Sequence, residues 1–276
     1  MMILSDLHVH TNYCDGVSSI EETVAEANRK HMESVGFSSH SYTPFDTSYC
    51  MAQKSEAEYA KNVLSVSENQ IGSAKVYLGL ERDLYSPDHA RMLCGYNLDY
   101  IIGSVHYIQS VGEYIPVDEN ESITENSIAE KFAGNADSYV RCYYETVAQL
   151  AQRSDVDIVG HFDLVTKFNR ANKFFDEESK IYKTSALEAL HCFREKDKIM
   201  EINTGAVSRG YRDRPYPSEF ILKEANNIGI RFILSSDSHN CRNLCFGFGE
   251  CEQMLRSMGV KSVVVLKGNG FCEIGI

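Results

Sequence analysis

Residues 5–16 read SDLHVHTNYCDG and place His8 and His10 one residue apart at the end of an apolar run, with Asp15 five residues further on. On a β-strand, residues i and i+2 point to the same side, so both imidazoles can reach one metal ion while Val9 faces the other way. A histidine at a strand end can equally be a hydrogen-bonded structural residue. The positions of the other histidines therefore decide between a metal site and a structural strand.

The chain alternates short apolar runs with segments of helical periodicity, a pattern that indicates βαβ units and a parallel sheet. Eight runs are predicted as strands, at 3–10, 34–39, 75–84, 98–105, 156–161, 198–203, 231–236 and 260–267. Seven or eight strand–helix repeats favour a closed barrel over an open sheet, and no glycine-rich nucleotide-binding motif follows the first run. The sequence therefore predicts an α/β barrel in one domain spanning 1–276.

The segments between the strands carry helix signals and one long insertion. Ser18 and Ser19 precede Glu21 and Glu22 at capping-box spacing, which predicts the start of the first helix. The stretch 107–136 is rich in Glu and Asn and has no clear periodicity. Long loops in compact domains are often functional, so we interpret it as a hairpin or lid over the barrel mouth, or as a solvated insertion.

Composition limits the classes of partner. The chain has 27 Lys and Arg against 39 Asp and Glu, a net charge of −12, which argues against an extensive nucleic-acid surface and favours a small substrate. No apolar run approaches the roughly 18 residues of a membrane span, and the N-terminus lacks signal-peptide features. The nine cysteines are scattered, without a C-x-x-C pair. We expect a cytoplasmic protein with reduced thiols and no membrane contact.

Six of the nine histidines fall at or just beyond the C-terminal ends of predicted strands, together with three carboxylates. This set consists of His8, His10, His40, His106, His161, His239, Asp15, Glu81 and Asp237. In a barrel these strand ends share one face, where active sites are built. Burying so many similar groups is costly unless a cation organises them, so the set predicts a metal centre. His31, His89 and His191 are expected to lie outside it.

The motifs DLHVHTNYCDG, GFSSH, GLE, GSVH, IVGHFD, EINTG and SSDSH, in that order, resemble the polymerase and histidinol phosphatase (PHP) superfamily. The chain length resembles the stand-alone histidinol-phosphatase branch of that family, and the resemblance covers about residues 3–240. It implies an α/β fold, a distorted (β/α)7 TIM-like barrel with a metal site at the C-terminal ends of the strands.

The resemblance also implies how the ligands divide among up to three metal ions. One ion would be held by His8, His10, Glu81 and Asp237, a second by Glu81, His106 and His161, and a third by Asp15, His40 and His239. Glu81 would bridge the first two. Mixed imidazole and carboxylate ligands suit zinc, iron or manganese better than magnesium or calcium, so two to three divalent ions of these kinds are expected.

The activity implied is that of a phosphomonoesterase acting on L-histidinol phosphate in histidine biosynthesis, by in-line attack of a metal-bridging hydroxide. Metal coordination can lower the pKa of a bound water to about 7, and clustered cations offset the charge of a phosphoryl group. Within this mechanism we assign Asp237, Glu81 and His239 as the catalytic residues.

Phosphate also needs donors opposite the metals. The stretch AVSRGYRDRPYPS follows the sixth predicted strand and places Arg209, Arg212 and Arg214 within six residues. Guanidinium groups bind phosphate through paired N–H donors, so these three are predicted as substrate-binding residues. The alternative is a solvated loop in which the arginines pair with Asp213 and Glu219.

Three other functions remain open at this stage. A PHP phosphoesterase acting on nucleotides or oligonucleotide ends would need the same metals and a different pocket. A metal-dependent amidohydrolase also begins with H-x-H, but it usually has a lysine at the end of strand four, where this chain has GSVH. A catalytically idle metal-binding module would be expected to lack ligands, whereas all nine positions are filled. The sequence gives no prediction of oligomeric state.

Overall fold

The computed structural model describes residues 3–69, 72–87 and 89–276. The strands in this part of the chain are β1 (Ser5–Asp6), β2 (Ser34–Phe37), β3 (Lys75–Asp83), β4 (Met92–Leu93), β5 (Tyr96–Asn97), β6 (Tyr100–Ser104), β7 (Tyr107–Ser110), β8 (Glu113–Pro116), β9 (Ile158–Val159), β10 (Ile199–Asn203), β11 (Arg231–Ser235), β12 (Ser262–Lys267) and β13 (Gly270–Gly275). The α-helices are α1 (Ile20–Arg29), α2 (Glu56–Asn69), α3 (Glu121–Lys131), α4 (Ala136–Gln149), α5 (Lys180–His191), α6 (Gly205–Ser208), α7 (Glu219–Asn227) and α8 (Phe248–Ser257).

Seven parallel strands form the main sheet, in the order β1-β2-β3-β6-β9-β10-β11. The sheet curls until its two outer strands meet through a single parallel bridge between Val9 and Ser238. There the His10 N–H donates to the Ser238 carbonyl at 2.8 Å, and the Ser238 N–H donates to the His8 carbonyl at 3.0 Å. The predicted distorted (β/α)7 barrel is confirmed, and its seam between the first and last strands is narrow.

Tyr100 braces the inside of the barrel. Its side chain is fully buried, and its hydroxyl donates to the Leu7 carbonyl at 2.5 Å, which ties β6 to the segment after β1. Gly36 and Gly79 leave room for this ring, because a Cβ at either position would lie 2.5 or 2.2 Å from Tyr100 atoms. Glycine at these two positions is therefore a packing requirement of the brace.

The eighth predicted strand forms, but it does not join the barrel. β12 pairs antiparallel with β13 in a separate two-stranded sheet. Val264 and Leu266 of this hairpin pack with Tyr77 and Ile199, and the Gly268 N–H donates to the Tyr77 hydroxyl at 3.1 Å. Since Tyr77 and Ile199 lie near the starts of their strands, the hairpin covers the N-terminal end of the barrel. The opposite end, where the strands terminate, is left for the functional site.

The connecting segments follow the sequence signals in part. The capping box of α1 is present: the Ser19 hydroxyl accepts from the Glu22 N–H at 3.1 Å, and the Glu22 carboxylate accepts from the Ser19 N–H at 2.9 Å. The stretch 107–136, which shows no clear periodicity in the sequence, contains the hairpin β7–β8 and the helix α3. Its role as a lid stays a prediction. Among the described residues, no helix has the length and apolar character needed to cross a membrane.

Candidate metal centre

The nine predicted ligands come together at the C-terminal end of the barrel. Glu81 lies within β3, and the others lie in the segments that follow β1, β2, β6, β9 and β11. Most of the side chains are almost completely buried, whereas Asp15 and His239 keep 33% and 24% of their side chains exposed. Residues spread over most of the chain therefore meet in one cluster with one accessible side.

Glu81 lies at the centre of this cluster. Its Oε2 is 3.1 Å from His8 Nε2, 3.4 Å from His10 Nε2 and 3.0 Å from His40 Nδ1. Three imidazole nitrogens from two different segments thus approach a single carboxylate oxygen.

The second oxygen of Glu81 faces a separate pair of imidazoles. Oε1 lies 3.0 Å from His161 Nε2 and 3.4 Å from His106 Nε2, and it accepts a hydrogen bond from Ser104 Oγ at 2.5 Å. Each oxygen of Glu81 thus has its own set of imidazole nitrogens, and the role of Glu81 as a bridge between two metal ions stays a prediction.

Asp15 gathers three imidazoles at the exposed side of the cluster. Its Oδ1 is 3.6 Å from His10 Nδ1 and 3.7 Å from His40 Nε2, and its Oδ2 is 3.1 Å from His239 Nε2. The ligand atoms of these four residues all lie within 4.8 Å of one another. Two further groups meet the same limit, His8 with His10 and Glu81, and His40 with Glu81 and His106.

Asp237 joins the first and last segments of the barrel. Its Oδ1 lies 3.3 Å from His10 Nε2, 3.4 Å from His239 Nδ1 and 3.8 Å from His8 Nε2. Asp237 also has a positive φ of 47°, a conformation that residues other than glycine adopt infrequently. Such strain is often found where a functional side chain must be aimed at a site.

The donor atoms are arranged as ligands of a shared metal ion and not as hydrogen-bond partners of one another. His8 Nε2, His10 Nε2 and Glu81 Oε2 are buried, lie close together and make no hydrogen bond to any described residue. Buried polar atoms without partners are uncommon, and a shared cation satisfies such a group. The mixed nitrogen and oxygen donors match zinc, iron or manganese.

The protonation states of His10 and Glu81 are those of metal ligands. Burial, together with repulsion from His239 and His40, lowers the pKa of His10 to about 3, so its imidazole is neutral and offers a lone pair. Burial would raise the pKa of Glu81, but the charges of His40 and His8 outweigh it and hold that pKa well below its usual range. A neutral imidazole and an ionised carboxylate are the forms that bind metal.

Glu201 supports the cluster from behind and was not assigned from the sequence. Its Oε1 lies 2.5 Å from His8 Nδ1, and its Oε2 accepts from the His161 N–H at 2.8 Å and from Asn203 Nδ2 at 2.9 Å. A carboxylate at the second nitrogen of an imidazole fixes the tautomer, so that His8 directs Nε2 towards Glu81. The signal in the sequence was an acidic residue in the middle of the apolar strand before NTG.

Asp83 plays a similar part for His106. Its Oδ2 accepts from the His106 N–H at 2.9 Å and lies 3.5 Å from His106 Nδ1. Asp83 is two residues beyond Glu81 on β3, so both carboxylates point to the same side of the strand. The same i, i+2 spacing that was used for His8 and His10 could have identified it.

The three arginines of the loop after β10 take different positions. Arg209 Nη2 is 3.0 Å from Asp237 Oδ2, and Arg209 Nη1 donates to the Asp237 carbonyl at 2.8 Å. The guanidinium of Arg212 stacks on the Tyr216 ring, 4.6 Å from its centroid. Arg214 is exposed and forms an ion pair with Glu177. Of the three, Arg209 lies at the metal centre and lines the cavity above it.

A cavity of about 310 Å³ opens above the cluster. Its lining includes Glu81, His106, His161, Asp237, His239 and Arg209. The cavity is also lined by the carboxyl groups of Asp46, Asp118 and Glu119 and by the ammonium group of Lys167. Lys167 Nζ lies 3.0 Å from Asp118 Oδ2 and 5.3 Å from the centroid of the Tyr211 ring. The cavity therefore carries acidic and aromatic groups in addition to the predicted ligands.

A parallel barrel with six histidines and three carboxylates clustered at its strand ends belongs to the class of metal-binding α/β barrels. A model of the PHP domain matches residues 6–205, and the chain belongs to the PHP domain family.

Similar proteins are known from bacteria. The chain is 27% identical over 266 residues to a Deinococcus radiodurans protein named "Probable histidinol-phosphatase", covering 94% of this chain and 95% of the relative. It is 24% identical over 260 residues to the histidinol-phosphatase of Bacillus subtilis, covering 88% of this chain and 96% of the relative.

A solved structure shares the fold. The histidinol phosphate phosphatase from Lactococcus lactis, in complex with zinc, L-histidinol and phosphate, aligns with a TM-score of 0.71 at 19% identity. The alignment covers 99% of this chain and 100% of the other. The two chains therefore have the same architecture over their whole lengths.

Proposed function

We propose that this protein is a metal-dependent phosphomonoesterase that hydrolyses L-histidinol phosphate to L-histidinol and phosphate. The observation that carries the proposal is the convergence of nine ligand side chains and Arg209 at one cavity. The names and coverage of the relatives from Deinococcus radiodurans and Bacillus subtilis support the same substrate.

The site would hold two to three zinc, iron or manganese ions. The proposed ligands are His8, His10, Asp15, His40, Glu81, His106, His161, Asp237 and His239. His40 Nε2 lies 3.7 Å from Asp15 Oδ1, so its imidazole would serve as a ligand together with Asp15. Such ions, when bound, acidify water and offset the negative charge of a phosphoryl group.

The chain's own residues would then orient the reactants. Arg209, fixed by its contacts with Asp237, would donate to a phosphoryl oxygen from the cavity wall. Glu81, Asp237 and His239 would be the catalytic residues, because their side chains surround the point where the cavity meets the cluster. Arg212 stacks on Tyr216, and Arg214 pairs with Glu177. These two arginines would contribute to substrate binding only indirectly, through the loop that they share with Arg209.

The acidic groups of the cavity favour a cationic leaving group. Apart from the proposed ligands, the cavity is lined by three carboxylates, those of Asp46, Asp118 and Glu119, and by the ammonium group of Lys167, so the carboxylates outnumber the ammonium group. L-Histidinol carries an amine that is protonated near neutral pH, and it would be attracted to these carboxylates. An uncharged nucleoside gains nothing from them, which makes the nucleotide alternative weaker.

The test is phosphate release by the metal-loaded protein from L-histidinol phosphate and from nucleoside 5′-monophosphates, together with elemental analysis of the same sample. We expect two to three metal equivalents and a clear preference for L-histidinol phosphate. A nucleotide preference of about tenfold or more, equivalent to about 1.4 kcal/mol in the barrier, would overturn the substrate assignment. Full metal content without turnover of any phosphoester would instead support an idle module.

A further inference from the structure

Tyr216 lines the cavity and has a buried, unpaired hydroxyl. The residue is 1% exposed, and its Oη makes no hydrogen bond to any described residue. Its ring nevertheless lines the same cavity as Arg209 and His161. A buried hydroxyl without a partner is destabilising and uncommon, so its position requires an explanation.

The position of the hydroxyl is fixed from several directions. The Tyr216 N–H donates to the Asn203 carbonyl at 2.9 Å, and the Asn203 N–H donates back at 2.8 Å. The guanidinium of Arg212 stacks on one face of the ring, and the edge of the His161 ring packs against it at a centroid distance of 6.4 Å. The side chain is therefore held rigidly beside the metal centre and cannot turn away to find another partner.

The charges around the phenol indicate what it would bind. The charges of Arg212, Asp163, Arg209 and Asp118 act on the phenol, and Arg209 and Asp118 also line the cavity, but none of the four bonds to Oη. A phenol beside a guanidinium in the lining of this cavity is suited to an anionic oxygen, to which it donates its proton in a hydrogen bond.

We propose that Tyr216 is a further substrate-binding residue, whose hydroxyl donates a hydrogen bond to an oxygen of the bound phosphoryl group. The inference rests on the proposed function in one respect, that the cavity receives a phosphate monoester. It also gives Arg212 a role, since Arg212 holds the ring of Tyr216 in place.

The test is the dissociation constant of inorganic phosphate, measured by calorimetry on the metal-loaded full chain and on its Tyr216→Phe variant. Hydrogen bonds to charged groups are strong enough that we expect binding to weaken about tenfold or more. Metal content should be unchanged, and the midpoint of thermal unfolding should stay the same or rise, because the variant loses a hydroxyl that has no partner in the protein. A purely structural hydroxyl would give the opposite pair of results, a lower midpoint with unchanged phosphate binding.

Tyr139→Phe is the matched control. Tyr139 is also fully buried, but it packs in the core beside Phe132 and does not line the cavity, so phosphate binding should be unaffected. Equal phosphate affinity in the wild type and Tyr216→Phe would overturn the proposal, as would a wild type that does not bind phosphate. If the wild type binds phosphate but does not hydrolyse L-histidinol phosphate, the proposed function fails while the comparison of phosphate affinities still decides the role of Tyr216.

Discussion

At the scale of single residues, Asp15 gives the sharpest test of the metal assignment. It is the most exposed of the nine proposed ligands, so its replacement should perturb the site without disturbing the barrel. Asp15→Ala should lose about one metal equivalent and lower turnover by at least about 100-fold, the order of loss seen when a charge-stabilising group leaves an active site. Elemental analysis and phosphate release measure the two effects.

The matched control for this variant is Asp213→Ala, which removes an exposed carboxylate from the loop that carries Arg209. It should keep full metal content and activity. Near-normal activity and metal content in Asp15→Ala would contradict the assignment of Asp15, and a large fall in the unfolding midpoint would show that its role is structural.

At this scale the sequence correctly predicts that the nine side chains lie together, but it predicts less about the residues around them. Each of the nine residues follows or lies in a predicted strand, and parallel strands bring such positions to one face. The support from Glu201 depends on which way His8 turns its second nitrogen, and no local pattern encodes that orientation. The different positions of Arg209, Arg212 and Arg214 could not be predicted either, because spacing in a loop does not determine which side chains point towards the site.

At the scale of elements, the brace between β6 and the segment after β1 makes a specific prediction. A Cβ at position 79 would lie 2.2 Å from the Tyr100 ring, so Gly79→Ala should force the ring to move and lower the free energy of unfolding by about 1–3 kcal/mol. Chemical denaturation measures this change. Gly270→Ala is the control, since no heavy atom lies within 4 Å of the Cβ that it adds. Equal stability of the two variants would show that Tyr100 is not a rigid brace.

Several elements differ from their predicted bounds for physical reasons. The first and fifth predicted strands, at 3–10 and 156–161, are reduced to β1 (Ser5–Asp6) and β9 (Ile158–Val159). Their remaining residues leave the ladder near the site, where His8, His10 and His161 turn towards the ligand cluster. The apolar run at 260–267 was correctly predicted as a strand. An apolar run does not reveal which strand it pairs with, so its place in a separate hairpin at the N-terminal end of the barrel could not be predicted.

At the scale of the whole molecule, acid stability depends on a buried ion cluster of residues that are not proposed as metal ligands. Asp155 Oδ2 accepts from Arg82 Nη1 at 2.8 Å, and Asp155 Oδ1 accepts from Arg153 Nε at 2.8 Å. Burial would raise the pKa of Asp155, but hydrogen bonds from Arg153 and Arg82 lower it to about 2. The folded state therefore has the lower pKa, so this contribution is complete above about pH 4 and is lost as the pH falls towards 2.

Asp155→Asn should therefore lower the free energy of unfolding at pH 7 by at least about 2 kcal/mol, because two buried guanidinium groups lose their carboxylate. The difference between wild type and variant should shrink between about pH 4 and pH 2. Urea denaturation at several pH values measures it, and Asp213→Asn, an exposed carboxylate, controls for general charge effects. A difference that does not change with pH would contradict the role of the ionised carboxylate.

The seam of the barrel links metal binding to the stability of the whole fold. Its two edges meet at the bridge between Val9 and Ser238, and the proposed ligands His10 and Asp237 come from opposite edges. Bound ions would therefore cross-link the seam, and ligand at a hundred times its dissociation constant stabilises by about 2.7 kcal/mol.

Removing the metals with a chelator should lower the unfolding midpoint and increase amide hydrogen exchange selectively at the seam. The amides of His10 and Ser238, which form the bridge, should exchange at least about tenfold faster. Losing the ions would make local opening at the seam easier, and amides exchange through such openings. The Ile199 amide, which donates to the Asp157 carbonyl at 3.0 Å at the start of β10, lies away from the ligands and the seam and is the internal control, so it should change little. Restoring zinc should reverse the change. Equal acceleration at both places would mean that the ions stabilise the molecule without closing its seam, and no acceleration at the seam would mean that they do not bridge it.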